Sequence, residues 1–301
     1  MHGKWQKIKK IELIISLLYK NKHPYQLPPL RDVIAKFDLS AKHSLGQNFL
    51  LDLNLTRRIV REVGNLKNQV VLEIGPGPGG LTRALLETEA KMVFAIERDP
   101  RCVAALSHLN VYFPDRLKVI EADALNFDLL EVINKSKITI VANLPYNISL
   151  PILISYLKKI NKINSMTLMF QKEVADRLTA KPGTKTYGRI SVIAQWLCIV
   201  EKKLSIPPKA FVPPPKVHSN IVKFTPNCLH PDPILFQAME TVTAAAFGQR
   251  RKMLKSSLKS IFHNPIDILN SAEIDPSDRA ERLKVDDFFK ISELYVKSKK
   301  I

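Results

Sequence analysis

Residues 69–80 read QVVLEIGPGPGG, an apolar run that stops at a loop rich in glycine and proline. A short β-branched run predicts a buried strand, and the glycines allow a tight turn into a following helix. Gly75, Gly77 and Gly80 also fit the G-x-G-x-x-G pattern, in which backbone N–H groups approach a nucleotide-like ligand. The loop by itself leaves two interpretations open, a ligand site and a plain strand-to-helix turn.

Strands and helices alternate on both sides of this loop. Leu53–Val63 has the apolar spacing of a helix, with Asn54 as its predicted N-cap and Gly64 as its end. Three further strands are predicted at Met92–Ile96, Leu117–Ile120 and Ile138–Ala142. Strands that alternate with helices indicate crossover connections and a parallel sheet, so the fold class is expected to be α/β with helices on both faces.

The pattern changes near Pro231, where the strand signals end. Before that point, strands are predicted at Ser165–Phe170, Cys198–Ser205 and Ser219–Phe224; after it, Leu235, Met239, Val242 and Ala246 repeat at helical spacing. We therefore expect an N-terminal appendage of residues 1–26, an α/β domain of residues 27–228, and a small all-helical domain of residues 229–301.

The composition favours a polyanionic partner. The chain has 301 residues, and its 46 Lys and Arg against 28 Asp and Glu leave a formal net charge of +18. A surplus of this size is typical of nucleic-acid binding, although a merely soluble basic surface is the plain alternative. Cys102, Cys198 and Cys228 lie far apart and form no zinc-binding spacing, so we expect no metal and a reducing, cytoplasmic compartment.

The N-terminus does not have the pattern of a membrane or export signal. The apolar run from Ile11 to Tyr19 contains Glu12 and is followed by Lys20, Asn21 and Lys22. It is too short to span a bilayer, and no small-residue cleavage site follows it. A short basic helix or an upstream extension of the coding frame is expected instead, and no membrane partner.

Acidic residues close the second and third predicted strands. Glu97 lies where an acidic residue accepts hydrogen bonds from a ribose diol in dinucleotide and S-adenosylmethionine sites, and Asp123 can accept from an adenine amino group. Either residue alone is equally consistent with a helix N-cap. Because ligands bind at the carboxyl ends of parallel strands, successive polar strand ends predict one shared cleft.

The fourth strand ends in Asn143-Leu144-Pro145-Tyr146. An adenine amino group is a poor nucleophile because its lone pair is delocalised into the ring. Two acceptors, the Asn143 side-chain oxygen and the Leu144 carbonyl, would hold its hydrogens and favour a pyramidal nitrogen, and Tyr146 offers a face for an extruded base. A turn after the strand is the alternative for this sequence alone, but its place at a fourth strand end favours chemistry.

In combination, these motifs resemble the bacterial small-subunit (16S) ribosomal RNA adenine dimethyltransferases, the KsgA/RsmA family. The resemblance runs from about Leu27 to the C-terminus and includes SLGQNFL at 44–50, EIGPG at 73–77, NLPY at 143–146, YGRISV at 187–192 and FVPPPKVHS at 211–219. It implies a Rossmann-like methyltransferase sheet and S-adenosylmethionine as methyl donor. The implied donor contacts are Asn48, Leu50, Gly75, Glu97, Asp123 and Asn143.

The same resemblance implies a substrate. It is the pair of adjacent adenosines in the 3′-terminal hairpin loop of 16S rRNA, each methylated twice, within an assembling small subunit. Phe211, on a stiff proline arm, is predicted to stack on the target base, with core packing as the alternative. From charge alone, the predicted RNA contacts lie in residues 247–259 and comprise Arg250, Arg251, Lys252, Lys255 and Lys259. Arg251, Lys255 and Lys259 are spaced as one stripe of a helix.

Three other functions stay open from the sequence. The first is the same fold acting on large-subunit rRNA or on DNA adenine, against which the N-L-P-Y form and the Y-G-R segment argue. The second is a non-enzymatic assembly factor, against which the intact Asn143 and donor residues argue. The third is a nicotinamide-dependent dehydrogenase, which leaves residues 143–146 and the charge unexplained. Nothing in the sequence requires more than a monomer.

Overall fold

The computed structural model describes residues 27–42, 45–132, 137–227 and 232–299. The predicted appendage at residues 1–26 and the predicted domain boundary between residues 228 and 229 lie outside these ranges, as do Ser44 and Cys228. Within them, no helix combines the length and the apolar character needed to cross a membrane.

The described chain contains nine strands and eleven α-helices. The strands are β1 (Phe49–Leu50), β2 (Val70–Ile74), β3 (Met92–Glu97), β4 (Leu117–Glu121), β5 (Ile138–Ala142), β6 (Ile163–Gln171), β7 (Cys198–Ile206), β8 (Phe211–Val212) and β9 (Ser219–Pro226). The helices are α1 (Leu30–Lys36), α2 (Leu53–Val63), α3 (Gly80–Leu86), α4 (Pro100–Asn110), α5 (Tyr146–Leu157), α6 (Lys172–Leu178), α7 (Arg189–Leu197), α8 (Pro233–Gly248), α9 (Leu254–Ser257), α10 (Pro265–Ser271) and α11 (Val285–Lys299).

The chain forms two compact units. Unit 1 comprises residues up to Ile148 together with Pro207–Lys216, and unit 2 comprises Ser149–Ile206 and the residues from Val217 onward.

Unit 1 contains four parallel strands in the order β4-β3-β2-β5. Ile74 lies opposite both Ile96 and Ala142, so the carboxyl ends of three neighbouring strands are level. All five residues of β5 are buried, which explains why its sequence is continuously apolar rather than alternating. The predicted parallel α/β arrangement is confirmed.

Helix α2 has the predicted length but a different cap. Its N-cap is Asp52, whose carboxylate accepts hydrogen bonds from the backbone N–H groups of Asn54 and Leu55 at 2.8 and 3.3 Å. The prediction that Asn54 caps this helix is therefore wrong, because a carboxylate two residues earlier already reaches the free N–H groups. Gly64 ends the helix with a φ of 99°, as expected.

Unit 2 contains an antiparallel strand trio and a helical C-terminal region. Strand β9 pairs with β6 on one side and with β7 on the other. From residue 232 to 299, every regular element is helical, and the stacked rings of Phe247 and Phe288, 5.4 Å apart, join α8 to α11. The predicted small helical region at the C-terminus is confirmed.

One helical prediction in unit 2 is wrong. Arg251, Lys255 and Lys259 do not form a stripe on one continuous helix, because α8 ends at Gly248. Residues 249–253 form a turn, Lys255 lies in the short helix α9, and Lys259 lies in the 3-10 turn Leu258–Ser260. The backbone N–H of Leu254 donates to the carbonyl of Asp278 instead of continuing a helix.

Candidate active site

A cavity in unit 1 lies where the four parallel strands end. Its wall comes from the segments that follow these strands and from one N-terminal loop. The lining residues are 45–50, 73–78, 81, 96–98, 122–125 and 143–148. All six predicted donor-binding residues line it, namely Asn48, Leu50, Gly75, Glu97, Asp123 and Asn143. The shared cleft predicted for the polar strand ends is present, and Asn48 and Leu50, which the resemblance implied, lie in its wall. The donor contacts of all six residues stay a prediction.

The glycine loop brings backbone close to the loop of residues 45–50. Gly77 has a φ of 56°, in the left-handed region that favours glycine, and a Cβ there would lie 3.0 Å from the Phe49 ring. A Cβ on Gly80 would lie 2.4 Å from the Leu50 carbonyl oxygen, so no side chain fits. Both glycines are therefore required by close packing around the cavity.

Glu97 is held in place by backbone donors. Its carboxylate accepts hydrogen bonds from the N–H groups of Gly77, Arg98 and Asp99 at 3.0, 2.7 and 2.8 Å. Burial raises the pKa of Glu97 above its ordinary value, and these three donors oppose that rise. The fixed carboxylate still has lone pairs for ligand hydroxyl groups, as predicted for a ribose site.

The Asp123 side chain stabilises a turn and also faces the cavity. One oxygen accepts from the backbone N–H of Leu125 at 3.0 Å, within a turn at residues 124–126 rather than at the helix N-cap considered from sequence. The other oxygen lies 3.2 Å from the Arg98 guanidinium. Asp123 is partly exposed and lines the cavity, so both the turn contact and a ligand contact are available to the same side chain.

Glu73 was missed as a site residue. It lies in β2, is 1% exposed and lines the cavity, with the Thr82 hydroxyl as its polar neighbour. Burial raises its pKa to about 8; the Thr82 hydroxyl opposes this rise and the nearby charge of Glu97 adds to it. An acidic residue in an otherwise apolar buried strand was the sequence signal that could have revealed it.

Asn143 is oriented by one hydrogen bond. Its side-chain nitrogen donates to the backbone carbonyl of Asn48 at 3.1 Å, and the side-chain nitrogen of Asn48 donates to the Gly46 carbonyl at 3.3 Å. Because the Asn143 nitrogen has this partner, its oxygen is the end left for an incoming donor. The arrangement supplies the acceptor that an amino-group substrate needs.

The remaining residues of the predicted catalytic motif also line the cavity, but Phe211 does not. Leu144 has a buried side chain, Pro145 follows it, and Tyr146 begins helix α5. Phe211 is 2% exposed and lies in β8, paired with Leu50 of β1. This burial agrees with the core-packing alternative named from the sequence, and the stacking of the ring on a target base is not tested.

The predicted RNA-binding residues lie in unit 2, in a stretch named here the basic segment (residues 250–259). Arg250 is engaged within the unit, because its guanidinium donates to the Lys185 carbonyl at 2.5 Å and to Glu281 at 3.2 Å. The other four residues are exposed: Arg251, Lys252, Lys255 and Lys259. Their contact with RNA stays a prediction.

The described residues contain no cluster of metal ligands. No group of three or more His, Cys, Asp or Glu side chains within them could hold an ion. Cys102 and Cys198 are both buried, and burial raises the pKa of each thiol to about 12. Both side chains are therefore neutral thiols near pH 7.

Comparison with known proteins places this cavity in context. Residues 38–297 match the family of ribosomal RNA adenine dimethylases. A relative from Rhodospirillum rubrum, named ribosomal RNA small subunit methyltransferase A, is 51% identical over 87% of this chain and 90% of its own length. A relative of the same name from Xanthobacter autotrophicus is 49% identical over 91% of this chain and 96% of its own.

Solved structures agree with this fold. A dimethyladenosine transferase from Plasmodium falciparum is similar with a TM-score of 0.71 and 26% identity, over 82% of this chain and 97% of that protein. The 23S rRNA methyltransferase ErmE, at 23% identity and a TM-score of 0.64 over 82% of this chain and 98% of its own, shares the fold. Fold and cavity thus define an S-adenosylmethionine-dependent methyltransferase. The chain belongs to the ribosomal RNA adenine dimethylase family.

Proposed function

We propose that this enzyme dimethylates the 6-amino groups of two adjacent adenosines in the 3′-terminal hairpin loop of 16S rRNA. The observation that carries the proposal is Asn143, whose amide nitrogen is fixed on the Asn48 carbonyl in the cavity that also holds Glu97 and Asp123. The relatives named small subunit methyltransferase A support the choice of the small-subunit RNA.

The cavity fits S-adenosylmethionine by the chemistry of its walls. We assign Glu97 to the ribose hydroxyls and Asp123 to the adenine amino group, and the carboxyl of Glu73, largely protonated near pH 7, offers a further hydrogen-bonding group in the cavity. Asn48, Leu50 and Gly75 contribute backbone and side-chain surface beside these groups. When bound, S-adenosylmethionine supplies an electrophilic methyl group on its sulfonium.

The catalytic role of the N-L-P-Y residues is to prepare the target nitrogen. The side-chain oxygen of Asn143 and the carbonyl of Leu144 accept its two N–H bonds, which favours a pyramidal nitrogen with an available lone pair. Pro145 biases Leu144 toward an extended backbone, and Tyr146 offers an aromatic face to the extruded base. No strong general base is needed, because the methylated nitrogen is acidic and releases its proton readily.

The physical substrate is an assembling small subunit in the cytoplasm. A hairpin loop lets single-stranded bases splay out at low cost, while its stem supplies phosphates. Exposed cations at Arg251, Lys252, Lys255 and Lys259, with the partly engaged Arg250, form the proposed phosphate-binding surface. The enzyme is proposed to act as a monomer.

A substrate panel tests the proposal. The purified protein is incubated with labelled S-adenosylmethionine and small subunits lacking adenine dimethylation, with large subunits and duplex DNA as controls. We expect dimethyladenosine, identified by mass, only in the small subunits. Label on large subunits or DNA would assign another substrate, and donor and subunit binding without transfer would assign a non-enzymatic assembly factor.

A further inference from the structure

The side chain of Gln47 is bonded at both ends. Its carbonyl oxygen accepts from the backbone N–H of Lys42 at 2.8 Å, and its amide nitrogen donates to the Asp99 carboxylate at 3.2 Å. The two bonds fix the orientation of the amide, because only the nitrogen end can donate to a carboxylate. Gln47 thus ties the loop before β1 to the N-terminus of α4, 52 residues away in sequence.

Asp99 is itself held by Arg101. The Asp99 side chain is fully buried and accepts from the Arg101 Nε and Nη2 atoms at 3.1 and 2.8 Å. The Arg101 guanidinium beside it lowers the pKa of Asp99 to about 2, so the carboxylate is charged at neutral pH. The same guanidinium donates to the carbonyls of Asp38 and Ser40 at 2.9 and 3.0 Å.

The loop held in this way reaches the catalytic motif. Gln47 is followed by Asn48, whose carbonyl accepts the hydrogen bond from the Asn143 amide. Gly46, with a φ of 62°, packs so closely that a Cβ there would lie 3.3 Å from Pro145 and 3.4 Å from the Asn147 side chain. The backbone N–H of Asp99 also donates to Glu97, so the same anchor touches the donor-binding carboxylate.

We propose that Gln47 and Arg101 are positioning residues for methyl transfer, which hold the loop so that the Asn48 carbonyl fixes the amide of Asn143. This inference rests on the catalytic role proposed above for Asn143. We call the contacts of Gln47 and Arg101 with Asp99 the clamp. Loss of the clamp lets the Asn143 amide rotate or shift, and a shift of about 1 Å at a reacting group costs up to about 100-fold in rate. The effect is expected mainly on kcat.

Another arginine of unit 1 provides a matched control. Arg57 donates to the two oxygens of Glu87 at 2.7 and 2.8 Å, distances similar to those of Arg101 with Asp99, although this pair is more exposed. Neither Arg57 nor Glu87 lines the cavity. The variant Arg57→Ala therefore removes a bidentate arginine–carboxylate pair without touching the loop or the catalytic motif.

The substitution Gln47→Glu turns the clamp into a pH-dependent contact. When the introduced carboxyl group is protonated it can reproduce both bonds, whereas its ionised form places a second carboxylate against Asp99. Two carboxyl groups this close share a proton, which raises the second ionisation above the ordinary range. The charged or titratable groups around the pair are Asp38, Lys42, Glu97, Arg101 and Cys102.

The test is the pH profile of kcat for the Gln47→Glu variant relative to the unchanged enzyme. We expect kcat about tenfold lower at pH 8 and within about threefold at pH 5.5, with a smaller change in the donor Kd than in kcat at pH 8, although Gln47 itself lines the cavity. A pH-independent ratio, or a loss confined to donor Kd, would overturn the proposal.

Arg101→Lys and Arg101→Ala keep the proposal testable if Gln47→Glu does not fold. Lysine keeps the charge beside Asp99 but cannot reach Asp38, Ser40 and Asp99 together, so kcat should fall several-fold with lysine, further with alanine, and not with Arg57→Ala. Equal kcat in all three would overturn the inference. Full turnover by Asn143→Ala would overturn the role of Asn143 and this inference with it, whereas the absence of methyl transfer from the unchanged enzyme to small subunits would overturn the proposed function.

Discussion

The cavity of unit 1 and the basic segment of unit 2 hold their polar groups in opposite ways. In the cavity, Glu73 and Glu97 are almost fully buried and Asn143 has a defined amide orientation. In the basic segment, Arg251, Lys252, Lys255 and Lys259 are exposed to water. Buried, oriented groups discriminate by geometry, while exposed cations attract by charge that salt screens. Substitutions should therefore cost much more in the cavity than in the segment.

The largest effect is expected for Asn143→Ala. Loss of the oriented acceptor should lower kcat about 100- to 1,000-fold, the usual cost of removing one preorganised hydrogen-bonding group from a reacting centre. Donor binding by calorimetry should weaken far less than kcat falls, because the other five donor contacts remain, and the melting temperature should change little. Turnover at the level of the unchanged enzyme would contradict the role given to this residue.

The substitution Glu73→Gln should alter how stability depends on pH. The folded pKa of Glu73, about 8, lies above its unfolded value of 4.5, so the folded state keeps the proton longer. Its contribution to stability is full below pH 4.5 and is lost as the pH rises toward 8, at up to about 1.4 kcal/mol per pH unit. Denaturant unfolding at pH 5 and pH 8 should show a clearly larger loss in the unchanged protein than in Glu73→Gln, in which the pKa of Glu97 is still raised. Parallel curves would contradict the burial argument.

Gly80→Ala tests the packing of the cavity wall. The added Cβ would meet the Leu50 carbonyl at 2.4 Å, so the loop of residues 45–50 must move. We expect a destabilisation of about 1–3 kcal/mol, as for overpacked interiors, together with weaker donor binding. Gly248→Ala, at a helical glycine with nothing within 4 Å of the added Cβ, is the matched control. Equal stability of the two variants would show that the wall tolerates the added methyl group.

The smallest effect is expected in the basic segment. Arg251→Ala combined with Lys255→Ala should weaken RNA binding modestly, and each phosphate that is no longer bound should make the negative slope of log K against log salt shallower by about 0.7–0.9. The control replaces Arg282 and Lys290, which are paired with Asp278 and Glu273 in the same unit. A slope that changes equally in both double variants would place the RNA elsewhere.

Features set by local sequence could be predicted, and features set by contacts between distant residues could not. The strands β2 and β5 and the shared cavity followed from apolar runs and from polar residues at strand ends, which are local patterns. The Gln47–Asp99 contact joins residues 52 apart, and no local pattern reports it. The prediction that Arg251, Lys255 and Lys259 form one helical stripe was wrong. Charge spacing predicts a helix face only where the helix continues, and α8 ends at Gly248. Asp52 and Asn54 are both good capping residues within one turn, so the sequence alone could not show that Asp52 is the N-cap.

A structure of the enzyme with S-adenosylhomocysteine and an oligonucleotide carrying the loop adenosines tests the central claim most directly. The account predicts the adenine 6-amino nitrogen within about 2.7–3.2 Å of both the Asn143 side-chain oxygen and the Leu144 carbonyl, with the Asn143 nitrogen still on the Asn48 carbonyl. An amino nitrogen held by other groups, with the Asn143 amide turned away from it, would contradict the account.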